Sequence, residues 1–255
     1  MSNNRRSSGQ VFLRGLLLAG GLTGVLWSVA ALPSFWLMTA AGDVATRIIV
    51  DDRFKPGALA RVLAALESQP AAAGDQPEFL RSRALLKLRM AEEAMTRNSS
   101  EEADRSVSLA LQDLKSALST RPGDSFLWLL LYSIETTRGG FDPKYLRYLD
   151  QSYATGPHEG WVSLRRNRLA LSAFPKLSEA VQSAVISEFE EMVDADFIED
   201  AALNLIGTGW QHREQLLAAL GSADIASRQS LHKRLAADGI KLNMPGIAFD
   251  ERPWR

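Results

Sequence analysis

Apolar and polar positions alternate along most of this chain with the spacing of helices, not strands. Leu59, Val62, Leu63 and Leu66 recur at three- and four-residue intervals after Pro56 and predict a helix to about Ser68. "QPAAAGDQP" (69–77) is a loop by its Pro/Gly content. Pro77 opens a second helix with Leu80, Ala84, Leu85, Leu88 and Met95 on one face. Ser99 and Glu102 form a capping box, and Val107, Leu109, Ala110, Leu111, Leu114 and Leu118 follow. Asp124 caps the next helix and Gly139-Gly140 ends it. Asp142-Pro143 is a cap with proline at the first helical position, Gly156-Pro157 breaks, and Trp161 to Leu171 is helical. Pro175 begins a helix that turns Leu177, Val181, Val185, Ile186, Phe189 and Val193 inward. Helices near 196–206, 210–220 and 224–237 are punctuated by Gly207, Gly209 and Gly221. The end, "NMPGIAFDERPWR", has two prolines and no period, which predicts an extended or docked tail. No useful period-two run occurs, so the fold class expected is all-α.

Two apolar runs stand out from this pattern. Gly15 to Gly42 is uncharged throughout and follows Arg5, Arg6 and Arg14. A bilayer core needs about 20 apolar residues in a helix, so residues 15–37 are expected to form a transmembrane anchor. The three arginines place residues 1–14 in the cytoplasm and the rest outside, in the periplasm of a Gram-negative cell. Trp36 falls near the outer interface, where indoles are favoured. A cleaved signal peptide is the competing reading, with Ser28-Val29-Ala30 or Thr39-Ala40-Ala41 as its small-residue site. The run is longer than the roughly 7–15 residues of a secretory core, which favours an anchor. A twin-arginine signal does not fit, because Ser7-Ser8-Gly9-Gln10 replaces the apolar residues that should follow. Residues 38–55 then form a linker, 56–237 a helical-repeat domain and 238–255 a tail.

The second run, Phe126 to Ile134, is too short to span. Nine residues rise about 13.5 Å, under half of a roughly 30 Å hydrocarbon core. Arg121, Asp124, Glu135 and Arg138 bracket it. It is expected to be a helix covered on more than one side.

Helix pairs with short Pro/Gly breaks suggest a helical-hairpin solenoid. "SALSTRP" (116–122) aligns with "QSYATGP" (151–157) at a 35-residue spacing. Ala110-x3-Leu114, Ala117 and Pro122 resemble the end of a tetratricopeptide repeat, and Trp128-x2-Leu131 the start of the next. Tyr132 stands where that pattern has glycine and Glu135 where it has tyrosine, so the likeness is clear over about residues 105–160 and degenerate elsewhere. "GDSFLWLLLYSIE" with "YLDQSYATGPHEGWVSLRRNRLAL" is similar to membrane-anchored, tetratricopeptide-like VpsP-type exopolysaccharide biosynthesis proteins of bacteria. The similarity covers the anchor and about residues 56–195. It implies a periplasm-facing adaptor that binds other envelope or membrane proteins of a polysaccharide assembly, with no catalytic residue to carry over.

Composition narrows the chemistry. The net charge is -1, and with the +3 of residues 1–14 removed the remainder carries -4, so no global field points to nucleic acid. There is no cysteine, which excludes disulfides, thiolate metal sites and cysteine nucleophiles. His158, His212 and His232 lack metal spacing. No nucleophile elbow or phosphate loop occurs, and Gly207-Thr208-Gly209 reads as a helix stop. No cofactor, metal or catalytic residue is expected, and oligomeric state is not legible. The candidate interaction patch is Glu159, Trp161, Arg165, Arg166 and Arg168. Guanidinium groups there suit a carboxylate or phosphate, as in an acidic polysaccharide, a lipid-linked phosphate or an acidic peptide. The structural alternative pairs Arg165 or Arg168 with Glu159, Asp150 or Glu135 across repeats. A polysaccharide-binding or -modifying enzyme built on Glu159 is the other functional reading, but two facing carboxylates are needed and no second one stands out. "EFEEMVDADFIED" (188–200) holds seven acids. It is either a docking ridge for a basic partner or a solvated face over an apolar stripe.

Overall fold

The computed structural model describes residues 15–29, 42–48, 54–55, 57–68, 77–96 and 99–247. Among them every regular element is helical, as the apolar period requires. The chain divides into two compact units, Met1–Thr120 and Arg121–Arg255, and the boundary falls inside the stretch 56–237.

The first unit contains helices α1 (15–29), α2 (42–48), α3 (Ala58–Glu67), α4 (Pro77–Thr96) and α5 (Ser100–Thr120). The leucines and both valines of α1 are exposed, and so is Trp27. Fifteen residues rise about 22 Å, and among the described residues no helix is long and apolar enough to cross a membrane. Residues 30–37 of the expected anchor lie outside the described residues. Leu59 and Leu66 on α3 meet Phe79 and Leu86 on α4, with Val44, Ile48 and Phe54 packed against them. The α4–α5 hairpin closes through small residues, Ala91 and Ala94 against Ala103. The expected capping box takes another form: the Ser99 hydroxyl donates to the Glu102 carboxylate at 3.1 Å, while Ser99 N–H donates to Ala94 O at 2.9 Å. Deeper in this hairpin one carboxylate serves two cations. Lys87 Nζ and Arg83 Nε each donate to Asp113 Oδ2 at 2.8 Å, and Lys87 and Asp113 are both buried.

The second unit contains α6 (Ser125–Gly139), α7 (Leu146–Thr155), α8 (Gly160–Ala173), α9 (Glu179–Asp194), α10 (Ile198–Ile206), α11 (Arg213–Ala219) and α12 (Ile225–Ala237). Its caps follow the sequence signals. Leu127 N–H donates to Asp124 Oδ1 at 3.1 Å, and Gly140, at φ 74, ends α6. Lys144 N–H donates to Asp142 Oδ1 at 3.0 Å, opening a 3-10 turn that leads into α7. Pro175 does not begin α9. It sits in a 3-10 turn, Phe174–Lys176, and Ser178 caps α9 instead. Proline's fixed φ suits either turn, and the side-chain oxygen that an N-cap needs is on Ser178. At the end of α9, Asp196 takes a left-handed φ of 65 and Phe197 N–H returns to Met192 O at 2.9 Å, a Schellman closure.

The apolar run of α6 is covered as its composition demands. Phe126, Leu127, Leu129, Leu131 and Tyr132 are buried, and their positions encircle the helix. Burial pushes the Tyr132 phenol above its ordinary pKa. Trp128 escapes full burial by stacking on Tyr148 of α7, ring centroids 6.0 Å apart, and donating its indole N–H to Pro122 O at 2.8 Å. The start of the tail is docked: Met244 is buried and Arg228 Nη1 donates to Pro245 O at 2.5 Å.

Candidate functional site

Helix α8 carries Trp161, Arg165, Arg166 and Arg168, with Glu159 as its N-cap residue. One arginine points inward and two point outward. Arg166 and Asn167 are buried beside Val162, Ser163, Ala170 and Leu171. Trp161, Arg165 and Arg168, at i, i+4 and i+7, share the exposed face.

Arg166 is 0% exposed and reaches Glu188 of α9, itself 2% exposed. Its Nε and Nη2 donate to Glu188 Oε1 at 2.9 and 2.6 Å. Nη1 donates to Ser152 O at 2.7 Å, a carbonyl in the last turn of α7, where a cation also meets the negative end of the helix dipole. The guanidinium carbon lies 4.1 Å from the centroid of the Tyr153 ring. The Tyr153 hydroxyl donates to Glu188 Oε2 at 2.6 Å. Asn167 Nδ2 donates to Val185 O at 2.9 Å, and Asn204 Nδ2 of α10 donates to Asn167 Oδ1 at 3.1 Å. Four helices are thereby joined by satisfied polar groups, which the cost of burying a bare guanidinium demands. Burial, reinforced by the Glu188 charge, raises the Tyr153 phenol well above its ordinary pKa, with Arg166 opposing.

This geometry corrects one expectation. Arg166 does not belong to an exposed patch. The inter-helix ion pair that is buried joins Arg166 to Glu188. Glu188 in turn leaves the acidic stretch for the core. Elsewhere in that stretch Glu199 accepts from Arg234 at 2.7 Å and Asp194 Oδ1 accepts from Asp224 N–H at 2.7 Å. Phe189, Met192 and Val193 lie buried beneath.

Glu159 is half-buried and accepts from the Ser125 hydroxyl at 2.5 Å, tying the start of α8 to the start of α6. Gly156 makes that approach feasible. A Cβ there would sit 2.7 Å from Ser125 Cβ and 2.9 Å from Glu159 Cδ. Trp161 rests on Phe126, centroids 4.7 Å apart, and stays 40% exposed. The outward face is therefore an indole followed by two guanidinium groups on a helix whose other side is pinned.

His158 Nδ1 lies 3.4 Å from Glu191. His212 packs on Phe174. Among the described residues no group of three His, Asp or Glu side chains is placed to hold a metal ion. A cleft of about 590 Å³ lies between α11 (Arg213, Glu214, Leu217, Ala218) and tail residues 242–247. No protein-family model, characterised protein or solved structure matches this chain.

Proposed function

We propose that this chain is a membrane-tethered, tetratricopeptide-like adaptor that binds other proteins through the outward face of α8. The observation that carries the reading is the Trp161–Arg165–Arg168 stripe. Trp and Arg are the side chains that most often dominate protein interfaces, and the satisfied Arg166–Glu188 pair behind them fixes their direction. Preorganisation of that kind lowers the ordering cost of binding.

The tether is residues 15–37. Support comes from the exposed apolar side chains of α1, the uncharged sequence that continues beyond it, and the arginines at 5, 6 and 14 that set its orientation. The helical hairpins then face the periplasm, and confinement to a surface raises the effective concentration of any membrane partner. The resemblance of residues 56–195 to VpsP-type proteins supports an envelope-polysaccharide assembly as the setting.

A photo-crosslinking residue placed at Arg165, in the full chain in its native cell, tests this reading. Crosslinks to an envelope protein are expected from that position and not from Ser183, an exposed residue of α9. Equal crosslinking from both positions, none from either, or recovery of the chain in the soluble fraction would overturn the proposal.

A further inference from the structure

The chain after α12 doubles back on that helix. The helix closes with Gly239 at φ 76 and with Ile240 N–H donating to Leu235 O at 2.9 Å, a Schellman turn. Arg228 Nη1 then donates to Pro245 O at 2.5 Å, and a Cβ on Gly246 would lie 3.5 Å from Ile225 Cδ1. Ile225, Arg228 and Leu235 share one side of α12 by their three- and seven-residue spacing. Residues 240–246 therefore run antiparallel along that side, as a strap over the helix. Ten helical residues rise about 15 Å, and six extended ones reach roughly 20 Å, so the strap is not taut.

Few contacts hold it. Met244 is the one buried side chain between 240 and 246. Among the described residues, no backbone N–H from Lys241 to Gly246 bonds the backbone of another element. The Arg228 contact carries a cost of its own, because its Nε is buried with no hydrogen-bond partner among the described residues. An unpaired buried donor and a buried methionine are comparable in size and opposite in sign. A glycine in the left-handed region stands at each end of the strap, Gly239 at φ 76 and Gly246 at φ 74, where the chain turns without a Cβ penalty. Beyond the strap is open space. The cleft of about 590 Å³ separates residues 242–247 from Arg213, Glu214, Leu217 and Ala218 of α11.

We infer that residues 240–246 are a hinged strap that opens from α12 while the helices stay folded. Met244 is its latch, and Gly239 and Gly246 are its hinges. The strap is one wall of the cleft and α11 the other, so its position sets the width of the cleft. The device is separate from the α8 face and does not depend on the adaptor reading.

The chain has no cysteine, so Met244→Cys places its only thiol on the latch. Maleimide labelling of that variant, as the full chain in detergent, reads opening. The thiol should label at least about a hundredfold faster than that of Leu231→Cys, a fully buried position of α12. Its rate should stay flat in urea below the unfolding transition, as local opening requires. Adding Gly246→Ala should raise the rate about tenfold, since a Cβ there meets Arg228 Nη1 at 2.9 Å in a backbone conformation that suits glycine. Hydrogen exchange on the unaltered chain removes any bias from losing the methionine. Ile247 N–H, bonded to Met244 O at 3.1 Å, should exchange about a hundredfold faster than the N–H groups of Leu231 and Leu235. Labelling and exchange that match α12 in rate and in urea dependence would make the strap part of the helical core and overturn the inference. A Met244→Cys thiol as reactive as free cysteine, with Ile247 N–H unprotected, would deny the closed state and overturn it too. A labelling rate indifferent to Gly246→Ala would overturn the hinge.

Discussion

Glu188→Leu is the sharpest perturbation this structure offers. Leucine fills nearly the volume of the glutamate, so the cavity term is small. The cost is electrostatic. Arg166 loses both bonds to Oε1, and the Tyr153 hydroxyl loses its acceptor. Removing one partner of a buried ion pair costs about 3–5 kcal/mol, because the other charge stays behind in low dielectric. Arg166 keeps Ser152 O, which places the expectation at about 3–4 kcal/mol. With a urea slope near 1.5 kcal/mol/M, the midpoint of the second unit should fall by roughly 2 M. The fluorescence of Trp128, Trp161 and Trp210, all in that unit, reports it, while circular dichroism follows both units. The triple variant Arg166→Met, Glu188→Leu, Tyr153→Phe removes charge, acceptor and donor together. It should recover at least about 2 kcal/mol relative to Glu188→Leu alone, since apolar groups of similar shape replace buried ion pairs at little cost. A Glu188→Leu loss under about 1 kcal/mol, or a triple variant no better than the single, would refute the claim that an uncompensated guanidinium is what hurts.

Three further outcomes follow from the same geometry. Gly156→Ala should destabilise the second unit by about 1–3 kcal/mol in urea melts, because its Cβ meets Ser125 Cβ at 2.7 Å; Gly156→Ala with Ser125→Gly should regain part of that. Asp113→Asn should lower the first unit's transition by about 3 kcal/mol in circular dichroism, since it leaves Lys87 buried beside a neutral partner, and, with Trp27 and Trp36 changed to Phe, should leave the tryptophan transition of the second unit in place. Glu190 is raised above the ordinary glutamate pKa by burial first, then by Asp194 and Glu191, with the Ser222 hydroxyl opposing. The native state then holds more protons than the unfolded one between the unfolded and folded values, and stability falls as pH rises through that window. Glu190→Gln should match wild type in melting temperature below about pH 4 and melt higher above the window.

Helix positions were legible because caps and breaks are local. Asp124 and Asp142 each need only their own next turn to act, and both do so here. Pro175 misled for a related reason: proline is equally content in the 3-10 turn that precedes the true cap. The ion pairs were missed because they are not local. A signal for them does exist. In a hairpin, residues equidistant from the break face each other. Arg166 and Glu188 lie 11 residues either side of Leu177 (177 − 166 and 188 − 177), which sits at the α8–α9 break. Arg83 and Asp113 lie 15 residues either side of position 98, between α4 and α5. Reading acids and bases about the breaks, instead of along each helix, would have paired them. Trp210 was read only as the start of a helix near 210–220; its place comes from packing of the 208–213 corner along α8, which no spacing in the chain announces.

The division of the three arginines follows from helical phase. Positions 166, 167, 170 and 171 lie on the core side of α8, so the core can take one arginine only where a carboxylate awaits it. Arg166 meets Glu188 there, and in doing so sets the rotation of the whole helix. Were α8 turned by one residue, about 100°, Arg166 would leave Glu188 buried without its cation, and Trp161 would swing off Phe126. Burying an unpaired charge costs far more than the few tenths of a kcal/mol at stake in most surface contacts. The buried pair therefore works as a register key for α8, the role in which buried ion pairs are best attested. The outward direction of Arg165 and Arg168 is a consequence of that key. Loss of Glu188 should accordingly weaken any partner held on the outer face even in variants that remain folded, and crosslinking from position 165 in a folded Glu188→Leu chain reads that coupling directly. Wild-type crosslinking there would show that the outer face is set by other contacts, with the Glu159–Ser125 bond the first to try.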